Sequence, residues 1–386
     1  MIITADRVIT GDAKNPPLDL ALRIVGDKIT ELAPLHALKK AFPNEEVRAY
    51  QNATILPGLI DAHTHISYDG WPGQQFQEMS YAAGAYTAAR LRKGLERGVT
   101  TVRDVGSPDG MAKAMKDAAQ KGYITIPRII TCNQAITMTG GHACNDAVTV
   151  ERNGEWEIRK EIRNQIKKGA DWIKIMDSEG YRGAEFSQEE LNAAVDEAHR
   201  FHVPIAVHAG WAPSVDMCVQ AGFDSIEHGT SMTMEHAKIM QKSGRYLVPT
   251  ILAFKRVVVE FAESDDAWMA AYAEVALEKS KNVKQFYDAG VNIACGTDTP
   301  LGSDLPPYPV ALEAECMVEI GLTPMQAIET ATKNGAELLR MGDRLGQIKP
   351  GYTADILIVD GDPSQDIRAL QNVRAVYFGG QQIANT

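Results

Sequence analysis

Apolar positions along the chain fall into two patterns, and the change between them marks the architecture. At the N-terminus, Met1 to Thr10, Leu20 to Val25 and Lys28 to Leu32 have the apolar content of short strands, with Gly26-Asp27 as a hairpin turn. A matching block closes the chain. There Ala354 to Val359 is a strand, Asp360-Gly361-Asp362-Pro363 a turn, and Val373 to Phe378 with Gln381 to Ala384 a hairpin across Gly379-Gly380. Two strand-rich ends around an αβ centre predict a small β-sandwich built from both termini. Between them, continuous apolar runs alternate with helical stretches. The runs are Gly58 to His63, Thr100 to Val105, Arg128 to Cys132, Ala170 to Met176, Pro204 to His208, Asp224 to His228, Tyr246 to Leu252 and Val291 to Cys295. Ser187-Gln188-Glu189-Glu190 and Thr323-Pro324-Met325-Gln326 read as capping boxes that open two of the helices.

Eight buried-type strands with intervening helices predict an α/β fold, a (β/α)8 TIM barrel over residues 58–345, with the β-sandwich taken from residues 1–57 and 346–386. A doubly wound sheet is the alternative, but no glycine-rich phosphate loop follows an early strand. In a barrel, functional side chains belong at the C-terminal ends of the strands.

Composition narrows the function by exclusion. A formal net charge of -11 argues against a nucleic-acid partner. No apolar run has the length of a membrane span, and Met1-Ile2-Ile3-Thr4 lacks the basic and apolar regions of a signal peptide, so a cytoplasmic location is expected. Five scattered cysteines without a Cys-x-x-Cys pair read as reduced small hydrophobes.

Chemistry enters where the strands end. His63-Thr64-His65 closes the first run, and residues two apart on a strand project to one face, where two imidazoles can hold one metal ion. Lys174 sits inside the apolar run Trp172-Ile173-Lys174-Ile175-Met176, where burial favours the neutral amine that reacts with carbon dioxide to give a carbamate. His208 and His228 end two further runs, and Gly296-Thr297-Asp298 puts a carboxylate at the exit of the last. Two dications about 3.5 Å apart repel by roughly 19 kcal/mol at an effective dielectric near 20, so bridging anions must offset that. A carbamate on Lys174 plus a shared hydroxide supplies two negative charges there, and the charge count therefore favours a two-metal site.

The ordered set His63, His65, Lys174, His208, His228, Asp298, with Leu56-Pro57-Gly58 before it and Leu345-Gly346-Gln347-Ile348-Lys349-Pro350-Gly351 after it, resembles the amidohydrolase superfamily. Within it the chain is similar to the imidazolonepropionase-like branch that holds Xaa-Pro dipeptidases and Xaa-Arg carboxypeptidases. The resemblance implies two divalent ions, zinc by preference. His63, His65 and Asp298 would bind one, His208 and His228 the other, with carbamylated Lys174 bridging and Asp298 as general base and acid. It implies hydrolysis of a C–N amide bond of a dipeptide or N-acyl amino acid by a metal-bridging hydroxide. A cyclic-amide hydrolase of the hydantoinase or imidazolonepropionase type is the alternative, and a metal-free scaffold the third possibility. A small-molecule substrate is expected, and relatives are often homo-oligomers.

Some details follow or depart from the pattern. Thr139-Gly140-Gly141-His142 resembles the loop whose histidine, in relatives, contacts the substrate's carboxylate or scissile carbonyl, so His142 is a second candidate catalytic residue. Position 211 is Trp, where deaminases of the superfamily have Glu and the dipeptidases tend to have Tyr. His65-Ile66-Ser67 lacks the arginine of dihydroorotases. Asp177 and Glu179 are placed to receive a cationic substrate group, and Arg182 an anionic one, with a solvated charged loop as the alternative. Arg103-Asp104 reads as an ion pair at the barrel rim. His36, His199, His202 and His236 follow no strand, and Met232, Met234, Met240 and Trp268 read as packing residues.

Overall fold

The computed structural model describes residues 1–67, 81–178, 184–261, 267–299 and 305–383. Four strands open the chain: β1 (Ile2–Val8), β2 (Ala21–Val25), β3 (Lys28–Ala33) and β4 (Val47–Pro57). Ten follow: β5 (Leu59–Thr64), β6 (Val99–Asp104), β7 (Arg128–Thr131), β8 (Ala135–Thr137), β9 (Thr149–Glu151), β10 (Ile173–Ser178), β11 (Ile205–Ala209), β12 (Ser225–His228), β13 (Tyr246–Val248) and β14 (Asn292–Ile293). The last three are β15 (Ile356–Asp360), β16 (Val373–Phe378) and β17 (Gln381–Gln382).

Strands β5, β6 and β7 form one parallel ladder, and β14-β13-β12-β11-β10 form another. The Asp171 amide donates to Thr131 O at 2.7 Å, which joins the ladders on one side. On the other, the Ala62 amide donates to Cys295 O at 2.9 Å and Thr64 bridges to Thr299. The result is an eight-stranded (β/α)8 ring with helices outside it. Every residue of β5, β6, β10, β11 and β12 is buried, because helices cover the outer face while side chains fill the barrel. That is why these strands read as continuous runs rather than alternating ones.

The termini share a single rolled sheet, ordered β17-β16-β15-β4-β1-β2-β3. Strand β15 lies antiparallel on β4, with Leu357 opposite Leu56, and β1 lies parallel on the other side. The sheet curls back, since the Ala354 amide donates to Asp27 O at 2.7 Å and Ile29 to Tyr352 O at 2.9 Å. Ile3, Leu22, Ile24, Ile29, Ile55, Ile356, Ile358 and Tyr377 fill the roll. Its two hairpin turns are glycine-dependent. Gly26 and Gly380 have φ of 60° and 77°, and a Cβ on Gly380 would lie 2.1 Å from Gly26 O.

Both expected capping boxes form, at Ser187 and Thr323, and a third forms at Thr233, where the His236 side chain takes the reciprocal role. The expected strand Tyr246 to Leu252 stops at Val248. Thr250 turns to φ 48°, and Ile251 opens a helix (Ile251–Phe261) instead. The cause is remote: buried Glu313 accepts the Ile251 and Leu252 amides at 2.8 and 2.6 Å, serving as a cap from another helix. Burial pushes the Glu313 carboxyl up to about 8. Met232 and Met240 are buried as expected, but Met234 is 39% exposed at the helix start and packs no core. The Trp268 side chain lies outside what is described.

Candidate metal centre

The described strand ends bring four imidazoles and a carboxylate to one mouth of the barrel, and Lys174, the second residue of β10 and level with Ala206 of β11, is buried deeper in the strand. His63 precedes the last residue of β5, and His65 follows it. His208 and His228 sit at the ends of β11 and β12, and Asp298 lies beyond β14. One nitrogen each of His63 and His228 and one Asp298 oxygen lie within 4.8 Å of one another. Asp298 Oδ1 is 3.2 Å from His63 Nε2 and 3.5 Å from His65 Nε2. Ring centroids are 5.8 Å apart for His63 and His65, 5.1 Å for His63 and His228, and 4.4 Å for His208 and His228. His228 and Asp298 hold φ of 70° and 54°, strain that the surrounding ladder imposes. For Asp298, its amide donates to His63 O at 2.8 Å, so ligand candidates on the first and last strands fix one another.

Each of three imidazoles is held by its inner nitrogen. His63 Nδ1 lies 2.6 Å from Glu227 Oε2, His65 Nδ1 2.9 Å from Gly106 O, and His228 Nδ1 2.7 Å from Thr250 Oγ1. Held in this way the rings present Nε2 to the centre, which is how metal-binding imidazoles are oriented. His208 Nε2 and Lys174 Nζ are buried with no hydrogen-bond partner among the described residues. Orphaned polar atoms at this depth are costly unless a ligand takes them. Burial pulls the His228 imidazole down to about 3 and the His208 imidazole well below its ordinary value, so both are neutral and able to donate a lone pair. Burial alone would raise Asp298, but the neighbouring His63 and His65 overcome it and keep the carboxyl well below the usual range. Neutral imidazoles, an ionised carboxylate and a desolvated amine pulled down to about 8 form a donor set that fits divalent cations.

Behind His63 stands an interior ion pair. Arg103, 0% exposed, donates to Glu227 Oε1 and Oε2 at 2.8 and 2.9 Å and to Ser225 Oγ at 3.0 Å, with its guanidinium carbon 4.7 Å from the Trp172 ring centre. This corrects the expected Arg103–Asp104 pair. Adjacent strand residues point to opposite faces, so Asp104 instead accepts the Thr131 and Ser107 hydroxyls at 2.7 Å each. Burial works to raise Glu227, but Arg103 and His63 hold it far below the ordinary carboxylate value. The lone carboxylate in the run Ser225-Ile226-Glu227-His228 was the available sign of this second layer.

Asp177 is likewise corrected. It is buried and accepts the Phe186 amide at 2.9 Å and the Ser214 hydroxyl, so it anchors the end of β10 rather than facing a substrate. Glu179 and Arg182 lie outside the described residues. His142 reaches the mouth from the loop between β8 and β9, its amide held by Glu185 at 2.9 Å and its ring stacked 4.2 Å from that of His208. Trp211, beyond β11, lies 5.4 Å from the Tyr272 ring. His199 and His236 pair with Asp224 and Asp216, each at 2.8 Å.

Residues 54–383 match the model of the Amidohydrolase family. Over 97% of this chain and 84% of the relative, the sequence is 29% identical to an ochratoxinase of Aspergillus niger. Among solved structures, a Xaa-Pro dipeptidase with methionine bound in its active site is 31% identical, with a TM-score of 0.88 over 100% of this chain and 99% of that one. A prolidase complexed with N-methylphosphonate-L-proline is 26% identical, with a TM-score of 0.87 over 100% and 99% of the two chains. Among the described residues, no helix is long and apolar enough to cross a membrane.

Proposed function

As a member of the amidohydrolase family, and therefore an enzyme that hydrolyses amide bonds of small molecules, the chain is one that we propose uses two zinc ions to cleave the C–N bond of a dipeptide or N-acyl amino acid. The observation that carries this reading is the orphaned, buried Lys174 amine, near enough to His208, His228 and Asp298 for their charges to act on one another, beside the cluster of His63, His228 and Asp298. His63, His65 and Asp298 would hold one cation and His208 and His228 the other. The Lys174 amine would add carbon dioxide, losing a proton, and its carbamate would link the two.

When bound, such cations supply Lewis acidity toward a carbonyl oxygen and bring the pKa of water down toward about 7. The chain's own groups do the rest. Asp298 is ionised at neutral pH and lies within reach of two imidazoles, so it is available to take a proton from the attacking water and deliver it to the departing nitrogen. Its left-handed backbone and the hydrogen bond its amide donates to His63 O keep the carboxylate fixed while it does so. His142, aligned by Glu185 and stacked on His208, receives the substrate's carbonyl or carboxylate.

Two measurements test this. Zinc-loaded protein should contain two zinc ions per chain by mass spectrometry, and should hydrolyse linear dipeptides or N-acyl amino acids in a library that also holds hydantoins and lactams. A strong chelator should abolish the activity, and zinc with bicarbonate restore it. Amide hydrolysis that survives chelation, or cleavage of the cyclic amides alone, refutes the proposal. His142→Ala should lower kcat/KM by about 10- to 100-fold, the range of one lost charge-assisted hydrogen bond. An unchanged kcat/KM on a good substrate removes His142 from the site.

A further inference from the structure

Beside the centre, the loops that follow β11 and β12 hold a second set of unmatched polar atoms. Trp211 Nε1, Thr230 Oγ1 and Ser231 Oγ are buried with no hydrogen-bond partner among the described residues, and Thr230 is only 7% exposed. The backbone draws them together. The Ser231 amide donates to Gly210 O at 2.7 Å and the Gly229 amide to Ala209 O at 3.1 Å, so the residues before Trp211 lie against those before Thr230. A Cβ placed on Gly210 would sit 3.5 Å from both Thr230 Oγ1 and the Tyr272 hydroxyl, so those two oxygens flank the same glycine. Lys279 Nζ stands 5.0 Å from the centre of the Trp211 ring. An aromatic wall connects this place to the candidate ligands. Phe254 lies 5.9 Å from the His228 ring, Tyr272 6.3 Å from Phe254, and Trp211 5.4 Å from Tyr272.

Every group in the set can donate. Indole N–H and ammonium donate only, and both hydroxyls can donate. None of the four groups is an acidic side chain. Buried donors left unmatched call for an acceptor-rich partner, and an anion fits them best. We propose that Trp211, Thr230, Ser231 and Lys279 form the subsite for the free α-carboxylate of the substrate, with the wall of Phe254 and Tyr272 beside its apolar side chain. The inference rests on the amide-hydrolase reading above and deepens it, because such a subsite makes the enzyme select amides whose amino-acid half carries an unblocked carboxylate. Trp211 then has a role of its own at the position where the dipeptidase-like sequences tend to carry Tyr.

The experiment compares N-acetyl-L-phenylalanine with N-acetylphenethylamine, the same amide without its carboxylate, on zinc-loaded full-length protein. Wild type should prefer the acid by a factor of about 100 in kcat/KM. Thr230→Val and Lys279→Met should each raise KM for the acid by about 10- to 30-fold with little change in kcat, the effect expected for one hydrogen bond or charge lost to an ionised group. The preference should fall accordingly. A preference that is absent in wild type, or intact in both variants, overturns the subsite. Should wild type cleave neither amide, the functional reading fails on its own terms, and binding decides the subsite. In that case calorimetry with 3-phenylpropionate should show affinity weakened about tenfold or more in both variants, and equal affinity, or none in wild type, overturns the proposal.

Discussion

Lys174→Met should leave a folded protein that has lost its activity: zinc content falling from two ions per chain to one or fewer, and kcat/KM down by about a thousandfold or more, the scale on which a metal-assisted hydrolase depends on its ions. Lys174 is 1% exposed, its Nζ has no partner among the described residues, and burial pulls its pKa down to about 8. An ordinary lysine titrates near 10.4, so the unmodified ammonium costs the fold about 3 kcal/mol at neutral pH. The sign follows from proton counting. Between about pH 8 and 10.4 the unfolded chain binds the proton and the folded one does not, so stability of the metal-free, carbon dioxide-free protein rises with pH across that window. Below pH 8 the cost is complete. Methionine fills much of the same volume without a charge, so metal-free Lys174→Met should melt above metal-free wild type at pH 7, with the gap closing as pH rises past 8. Carbamate formation needs the neutral amine, roughly a tenth of the population at pH 7 and half at pH 8. Reconstitution of wild type with zinc and bicarbonate should therefore quicken from pH 7 to 9. A variant that keeps two zinc ions and wild-type turnover would remove Lys174 from the centre.

The barrel was legible because its strands are buried on both faces, so each became an unbroken apolar run, and because a histidine, lysine or aspartate interrupting such a run stands out. The hairpins at Gly26-Asp27 and Gly379-Gly380 were legible for a different reason, the local demand for glycine at positive φ. What escaped depends on partners far away in the chain. The helix at Ile251 replaces the end of a strand because Glu313, more than sixty positions later, accepts its first amides. Nothing local to Tyr246 to Leu252 encodes that carboxylate. Arg103 looked like the partner of its neighbour Asp104, yet the pleat turns the two to opposite faces and sends Arg103 to Glu227, across the barrel interior. The short pair β8 and β9, which carries the His142 loop, was not foreseen, since three-residue strands leave no periodicity to read. In the candidate site the groups on strand ends were visible, and the layer that orients them, Glu227, Thr250 and Glu185, was not.

That hidden layer sets the second large effect, which should appear on removing the Arg103 guanidinium. Arg103→Met leaves the Glu227 carboxylate buried at 0% exposure without its cation, and breaking one side of a fully buried pair costs about 3–5 kcal/mol. Urea denaturation should show this loss at neutral pH. The pH dependence should change with it. In wild type the depressed Glu227 carboxyl contributes stability that is complete above the ordinary glutamate value and is lost as pH falls below it. Without Arg103 the main charge opposing burial is gone and only His63, Lys174 and the Ser225 hydroxyl remain, so Glu227 takes up a proton at higher pH and that contribution shrinks. A protonated Glu227 is a poorer acceptor for the His63 Nδ1–H, so His63 is less firmly oriented and zinc affinity should drop about 10- to 100-fold, the usual effect of losing such a supporting bond. Pairing Arg103→Met with Glu227→Gln removes the stranded charge. The double variant should recover a large part of the lost stability while zinc binding stays weak, because the amide does not replace a carboxylate behind the imidazole. If Arg103→Met alone matched wild type in both stability and zinc affinity, the chain Arg103–Glu227–His63 would be packing and nothing more.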